Sequence, residues 1–396
     1  MNRWSAVRLG ELADGVDYGL TASATVDEVG PKFLRITDIQ DGNVDWDTVP
    51  YCSCDTNDLG RYALARGDIL FARTGATTGK SYLIREYPPN TVFASYLIRI
   101  RPNVRVDPRY LAYFFDTPDY WNQVSLCAQG AGQPGINASK LKELSLPLPP
   151  LAEQKRIAAI LDQADAIRRK RRNAIEAAAD LPLAIFLDMF GDPSANRERW
   201  PVVPMGQLFA SPPNYGTMQQ PFSHPSGWLD LRVANIQEGV LDLSDRKYVE
   251  LEPTMISRHE VRDGDLLLAR AIGSKEHLGK CIVARPGLER WAFDSHLMRI
   301  RLDAERGTPE FVQAFLASPG GRHEFLRHTR RSAVQFNVNT KEMAQVELPL
   351  PPIELQQEFV RTLTRMRSMQ DIMSSALAKA DRLYRSLISR AFLGTL

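Results

Sequence analysis

Between glycine, proline and asparagine punctuation the chain carries short apolar or alternating runs at residues 33–36, 68–72, 81–84 and 96–100. Alternation with period two, or a brief continuous apolar run, is the pattern of a strand packed on one or both faces. Segments 108–116 and 309–317 instead show helical spacing and open on a proline, which the first helical turn tolerates. Further along the period lengthens. Ile157, Ile160, Ala164, Ile167, Arg171, Ala174, Ala178, Leu181 and Ile185 step by three and four, as do Phe359, Leu363, Met366, Gln370, Met373, Leu377, Ala380, Tyr384 and Leu387. Each is a heptad seam of about four heptads. The first predicts one helix from Ala152 to about Asp188, stopped near Gly191-Asp192-Pro193, with Arg171 and Gln370 pairing across the seams to fix register.

The pattern occurs twice. The phrase LPLPP stands at Leu146–Pro150 and again at Leu348–Pro352, each time just before a heptad stretch. Trp4 matches Trp200, Leu34-Arg35 matches Leu231-Arg232, and the run from Arg66 to Arg73 matches the run from Arg262 to Arg270. Gly79-Lys80 then matches Gly279-Lys280, and Arg99-Ile100-Arg101 matches Arg299-Ile300-Arg301. A repeat this long is two whole domains and not a solenoid. The expected organisation is a globular domain at 1–150, a helix at 151–192, a second domain at 193–352 and a second helix at 353–396. One seam is rich in alanine and the other in large side chains, so the helices are expected to pack together. A helix of this length spans ~55 Å at ~1.5 Å per residue, against a radius of gyration of ~15 Å for such a domain. Antiparallel packing therefore suits the chain, and it gives a direct repeat an approximate twofold axis. The fold class is α+β, with two tandem strand-rich domains separated by a long antiparallel two-helix coiled coil.

Composition changes this picture little. The chain has 396 residues, 44% hydrophobic and 24% charged, with a formal net charge of +2. These values exclude disorder and argue against a freestanding nonspecific nucleic-acid binder. No run approaches the ~20 apolar residues of a membrane span, and a cytoplasmic location is expected. The four cysteines are too scattered for a disulfide framework or a tetrahedral zinc site. Two basic clusters, Arg168–Arg172 and Arg327–Arg331, stand in otherwise balanced sequence, and the first reads equally as a solvated helix face or as a group near phosphates.

Candidate chemistry lies in two loops per copy. Gly75–Ser81 resembles a phosphate-binding loop, but Thr74 occupies the position of the first glycine and the second copy loses the hydroxyl. Arg73, Thr74, Thr77, Thr78 and Lys80 fit contact with DNA better, against the plainer reading of a solvated hairpin tip. The matching loop carries Arg270, Ser274, Lys275, His277 and Lys280, so a retained frame bears altered side chains. A second polar loop, with Gln129, Gln133 and Asn137, matches one with Arg330, Arg331, Gln335 and Asn337. Amide and guanidinium groups can pair with base edges, although turn chemistry explains any single one equally well. Ser95-Tyr96 and Ser295-His296 begin matched strands and face either the core or DNA.

The LPLPP-x-x-E-Q phrase ending at Gln154, its weakened copy ending at Gln356, the Gly-Asp-Ile-Leu strand and the duplicated domain-plus-helix plan resemble the specificity subunit of type I restriction-modification systems. The resemblance covers essentially the whole chain. It implies two target-recognition domains, each reading half of a split, asymmetric sequence in double-stranded DNA. It also implies helical regions that dock two methyltransferase subunits, with restriction subunits beyond them and no membrane partner. The chain itself is then noncatalytic and binds no cofactor, with S-adenosylmethionine, ATP and Mg2+ on the partner subunits. Leu355 stands where the phrase has Glu153, so a contact made in the first copy is expected to be missing from the second. No amine-methylation motif, Walker motif or nuclease cluster is legible. Two rivals remain: an enzyme with cryptic motifs, and an adaptor that binds all duplexes alike.

Overall fold

The computed structural model describes residues 4–40, 42–128, 135–237, 239–331 and 335–396. The chain divides into two compact units, Met1–Asn173 with Ser374–Leu396, and Ala174–Met373.

In the first unit a four-stranded antiparallel sheet runs in the order Ala13–Tyr18, Leu97–Pro102, Ile69–Ala72, Ser81–Leu83. Strand Ile69–Ala72 is a continuous apolar run because both its faces are covered. Ile69 and Phe71 enter one core with helix residues Tyr110, Phe114 and Tyr120, while Leu70 enters another with Leu34 and Phe93. Lys32–Leu34 pairs in parallel with Thr91–Phe93, and Ala6–Arg8 pairs with Ser145–Pro147 of the LPLPP phrase. The second unit repeats the plan: Asn214–Tyr215, Leu297–Ile300, Leu266–Ala269 and Cys281–Val283 form its sheet, and Val202–Pro204 pairs with Glu347–Pro349. Leu266 and Leu268 again face one core and Leu267 and Ala269 another.

The glutamine of the LPLPP phrase explains the phrase. Gln154, 1% exposed, donates to the carbonyls of Pro149 (2.9 Å) and Arg105 (3.1 Å) and accepts from the Asp107 N–H (2.8 Å). Gln356 does the same with Pro351 (2.9 Å), Arg306 (3.4 Å) and Thr308 (2.9 Å). Each glutamine thus ties the start of a long helix to the start of a domain helix. Gln154→Ala strands one buried N–H and two carbonyls and is expected to destabilise the first unit by about 2–3 kcal/mol, read as a lowered urea midpoint. Glu153 pairs with Arg156 at 2.8 Å, whereas Leu355 packs against the second unit's core, so that contact does change between copies.

Three helix expectations need correction. The first helical region is Leu151–Ala177 followed by Leu181–Phe190, not one helix. Pro182 has no N–H to give the Ala178 carbonyl, and its ring crowds that turn. Gln370 Nε2 donates to this carbonyl at 3.1 Å, while Arg171 is exposed, so Gln370 answers the break and not Arg171. The first seam is also rotated by about one residue. Ile167 is 51% exposed and Ala174 and Leu181 are exposed, while the covered line passes through Ile157, Leu161, Asp165 and Arg168. Polar residues carry that line: Arg168 lies 4.2 Å over the Tyr384 ring and 3.1 Å from Asp381, and Arg169 lies 2.6 Å from Asp165. Two arginines of the first basic cluster are therefore engaged within the unit. The second seam holds as expected from Phe359 to Tyr384 within the single helix Ile353–Leu393. In each unit the start of one helical region packs with the end of the other, or its end with the other's start. Ile157 and Leu161 share a core with Tyr384 and Ile388, and Phe186 and Phe190 share one with Phe359 and Leu363.

Candidate nucleic-acid interface

A central strand of each sheet leads into a polar loop whose first residue is an arginine laid on a tyrosine. Arg73 lies 5.1 Å over the Tyr18 ring and donates to the Ser95 carbonyl at 3.5 Å. Arg270 lies 4.0 Å over the Tyr215 ring and donates to the Ser295 carbonyl at 2.9 Å. The tyrosine hydroxyls in turn accept the Ala138 N–H (3.1 Å) and the Thr340 N–H (3.2 Å) at the starts of the next short helices. Both arginines therefore brace the frame. The sequence reading did not single out either tyrosine, although the Tyr-Gly dipeptide recurs at 18–19 and 215–216.

The far end of each loop is clamped by a domain helix. The Tyr120 hydroxyl, on helix Pro118–Ala128, donates to the Gly79 carbonyl at 2.5 Å. On helix Pro319–Arg327, Arg322 donates to the carbonyls of Leu278 and Lys275, the latter at 2.6 Å. Gly79 and Gly279 adopt φ of +86° and +82° beneath these helices. A Cβ at Gly279 would stand 2.4 Å from Phe325, so both the backbone and the close approach require glycine. Between brace and clamp, Thr78 Oγ1 donates to the Gly75 carbonyl (2.7 Å), and Ser274 Oγ accepts from the Glu276 N–H (3.2 Å). Thr74 and Thr77 are half-buried, as is Lys280, whereas Lys80, Lys275 and His277 are exposed.

The two polar loops of each copy come together. Thr74 bridges Gly135, and the Ile136 N–H donates to the Arg73 carbonyl at 3.0 Å. In the second unit Ala271–Ile272 pairs with Phe336–Asn337, which pairs with Arg330–Arg331. Gln129 and Gln133 lie outside the described residues, as does the side chain of Arg331. Asn137 caps helix Ala138–Glu143 by accepting the Lys140 N–H at 2.9 Å, and its true counterpart is Asn339, the cap of Thr340–Gln345. Asn337 is instead a strand residue beside exposed Gln335, and exposed Arg330 pairs with Glu342.

Residues 1–177 match the family model described as the type I restriction modification DNA specificity domain. Over these residues the chain is similar to that family. It is 25% identical over 348 residues to the type I restriction enzyme EcoKI specificity subunit of Escherichia coli K12, covering 83% of this chain and 75% of that one. It is likewise 25% identical to the StySPI specificity subunit of Salmonella potsdam, covering 83% and 74%. Over 41% of its length it is 33% identical to the putative MjaX specificity subunit of Methanocaldococcus jannaschii, covering 39% of that chain. In fold it is similar to a chain from a structure describing complex assembly and conformational transition of the type I R-M system, with a TM-score of 0.61, 19% identity and coverage of 99% and 98%. The S subunit from M. genitalium is also similar, with a TM-score of 0.56, 13% identity and coverage of 99% and 96%.

Among the described residues no group of three or more His, Cys, Asp or Glu could hold a metal, and no helix is long and apolar enough to cross a membrane. The four cysteines are free thiols, with Cys52 and Cys281 buried and burial pushing both well above the ordinary thiol range.

Proposed function

We propose that this chain is a type I restriction-modification specificity subunit that reads a split, asymmetric sequence in double-stranded DNA, one half by domain 1–150 and the other by domain 193–352. The observation that carries this reading is a frame kept in both copies with exchanged side chains upon it. The arginine-on-tyrosine brace recurs at 73 and 270 and the lysine at 80 and 280, while Thr77 and Thr78 give way to Ser274, Lys275 and His277. Two readers of different half-sites need the same scaffold and different contacts. Helical regions 151–192 and 353–396 act as an antiparallel coiled-coil spacer with approximate twofold symmetry. They dock two methyltransferase subunits, and exposed apolar residues such as Ile167, Met369 and Ile372 support such a surface. Methyl transfer from S-adenosylmethionine and ATP- and Mg2+-dependent restriction belong to the methyltransferase and restriction partners in the cytoplasm.

The methylome of a host with and without this chain tests the reading, which requires a two-part motif with an unread gap. Lys80→Ala and Lys275→Ala are expected to weaken binding to all duplexes alike, each lowering the slope of log affinity against log salt by roughly 0.9. Arg330→Ala and Gln335→Ala are expected to relax one half of the motif and spare the other. Equal change in both halves would refute the assignment of one domain to one half-site.

A further inference from the structure

Beside each hairpin loop sits a short turn built around one outward residue. In the window 91–100 every side chain is buried except Ser95, which is half-buried, and Tyr96, which is 63% exposed. In the matching window 291–300 Asp294 and Ser295 are half-buried, and His296 alone is exposed. Both turns close the same way, Leu97 N–H to the Ala94 carbonyl at 2.9 Å and Leu297 N–H to the Asp294 carbonyl at 3.1 Å. Both are fastened to the loop arginine. The Arg73 N–H donates to the Tyr96 carbonyl (3.2 Å) and the Arg270 N–H to the His296 carbonyl (2.9 Å), while each guanidinium holds the preceding serine carbonyl.

Such a turn holds its backbone rigid and leaves a single planar side chain outside. The frame is identical in the two copies and the planar group differs, as it does in the loops next to it. What lies behind the ring differs too. Tyr96 stands at the edge of a cleft of about 630 Å³ lined by Leu20, Phe33, Arg35, Thr37 and Ser95. In the second unit the positions of Phe33 and Ala94 are taken by Asp230 and Asp294. Asp294 accepts the His296 N–H at 3.0 Å and lies 3.2 Å from Nδ1. An ionised carboxylate there only accepts, which puts the proton on Nδ1 and leaves Nε2 as the second polar edge of the exposed ring.

We infer that Tyr96 and His296 are specificity-determining residues that contact base edges, one in each half-site. The inference rests on the half-site reading above and extends it to a position outside the loops. Tyr96 offers a ring face suited to an apolar base edge such as the thymine methyl. His296 offers a polar edge aimed by Asp294, suited to a hydrogen-bonding base edge. The arginines at 73 and 270 are positioning residues that set the distance between turn and loop.

The test uses the full chain reconstituted with its methyltransferase subunits. Competition binding is measured against a panel of duplexes carrying every single-base change in the motif, with thermal midpoints to confirm folding. His296→Ala is expected to flatten discrimination at one base position of the second domain's half-site by about fivefold to a hundredfold and leave the other half unchanged. Tyr96→Ala is expected to do the same in the first domain's half-site. His296→Gln, which keeps a polar head, restores discrimination at that position with the same or an altered preference. Unchanged discrimination at every position in both alanine variants overturns the inference, and so does uniform weakening with sequence preference intact. If the unsubstituted complex shows no two-part motif, the half-site reading itself fails, an outcome separable from the first.

Discussion

Arg99→Leu is expected to destabilise the first unit by about 3–5 kcal/mol, because it removes one partner of a buried charge network and leaves the other behind. Arg99 is 1% exposed and donates to Asp17 (3.0 Å) and to the carbonyls of Ala63 (2.7 Å) and Arg61 (3.1 Å). It also lies 4.9 Å over the Phe93 ring and 3.8 Å from buried Asp68. Asp68 is the aspartate of the Gly-Asp-Ile-Leu strand, and it accepts the Ala65 N–H at 2.9 Å. Burial raises its pKa, against the opposing pull of that N–H and of Arg99. Without the guanidinium, half-buried Arg101 at 3.9 Å is the cation left beside it among the described residues. Urea denaturation of Arg99→Leu and of Arg99→Leu with Asp68→Asn provides the check. The double variant is expected to recover much of the loss, and a double variant as unstable as the single one would mean that the charge on Asp68 is not the cause. The second copy repeats the arrangement. Arg301 lies 2.8 Å from Asp265, and burial holds Arg299 down at about 10.

Asp230→Asn is expected to stabilise the second unit at pH 8 by about 2–4 kcal/mol. Asp230 is 1% exposed, and neither carboxylate oxygen has a hydrogen-bond partner. Burial, with repulsion from Asp294 second, pushes its pKa up to about 7, while Arg232 pulls it down. The folded chain thus holds this proton until near neutrality, whereas the unfolded chain releases it near ~3.9. For an acid with a raised folded pKa, the stability it contributes is complete below the unfolded value and is lost as pH rises toward the folded one. This group alone makes the unit more stable at pH 5 than at pH 8 by roughly 2–3 kcal/mol. Thermal midpoints across that range should fall with pH in the wild type and fall less in Asp230→Asn. Parallel curves would show that Asp230 is ionised throughout and would sink the prediction. The matched residue in the first copy is Phe33, so a substitution there has no counterpart effect on the pH dependence.

Duplication, the strand-rich frame and the helical regions after each LPLPP phrase were legible in the sequence, because repetition and apolar period are properties of the chain read in one dimension. Strand Ile69–Ala72 and its copy Leu266–Ala269 announce themselves by continuous apolar runs, and Pro108 and Pro309 mark true helix starts. What hydropathy cannot register is a polar group satisfied by a partner far along the chain. For that reason the first seam was misplaced by a residue, since Asp165 and Arg168 take covered positions that an apolar pattern assigns to Ala164 and Ile167. For the same reason the sequence does not reveal that Arg73 and Arg270, candidates for DNA contact, lie on the rings of Tyr18 and Tyr215. Only the tertiary structure joined the two polar loops of each copy, through Thr74 with Gly135 and through Ala271–Ile272 with Phe336–Asn337. Strand pairing across such sequence separations depends on the closed sheet and its register, which no local pattern encodes. The cost of the buried, unpartnered Asp230 likewise arises from what surrounds it and not from its neighbours in the chain.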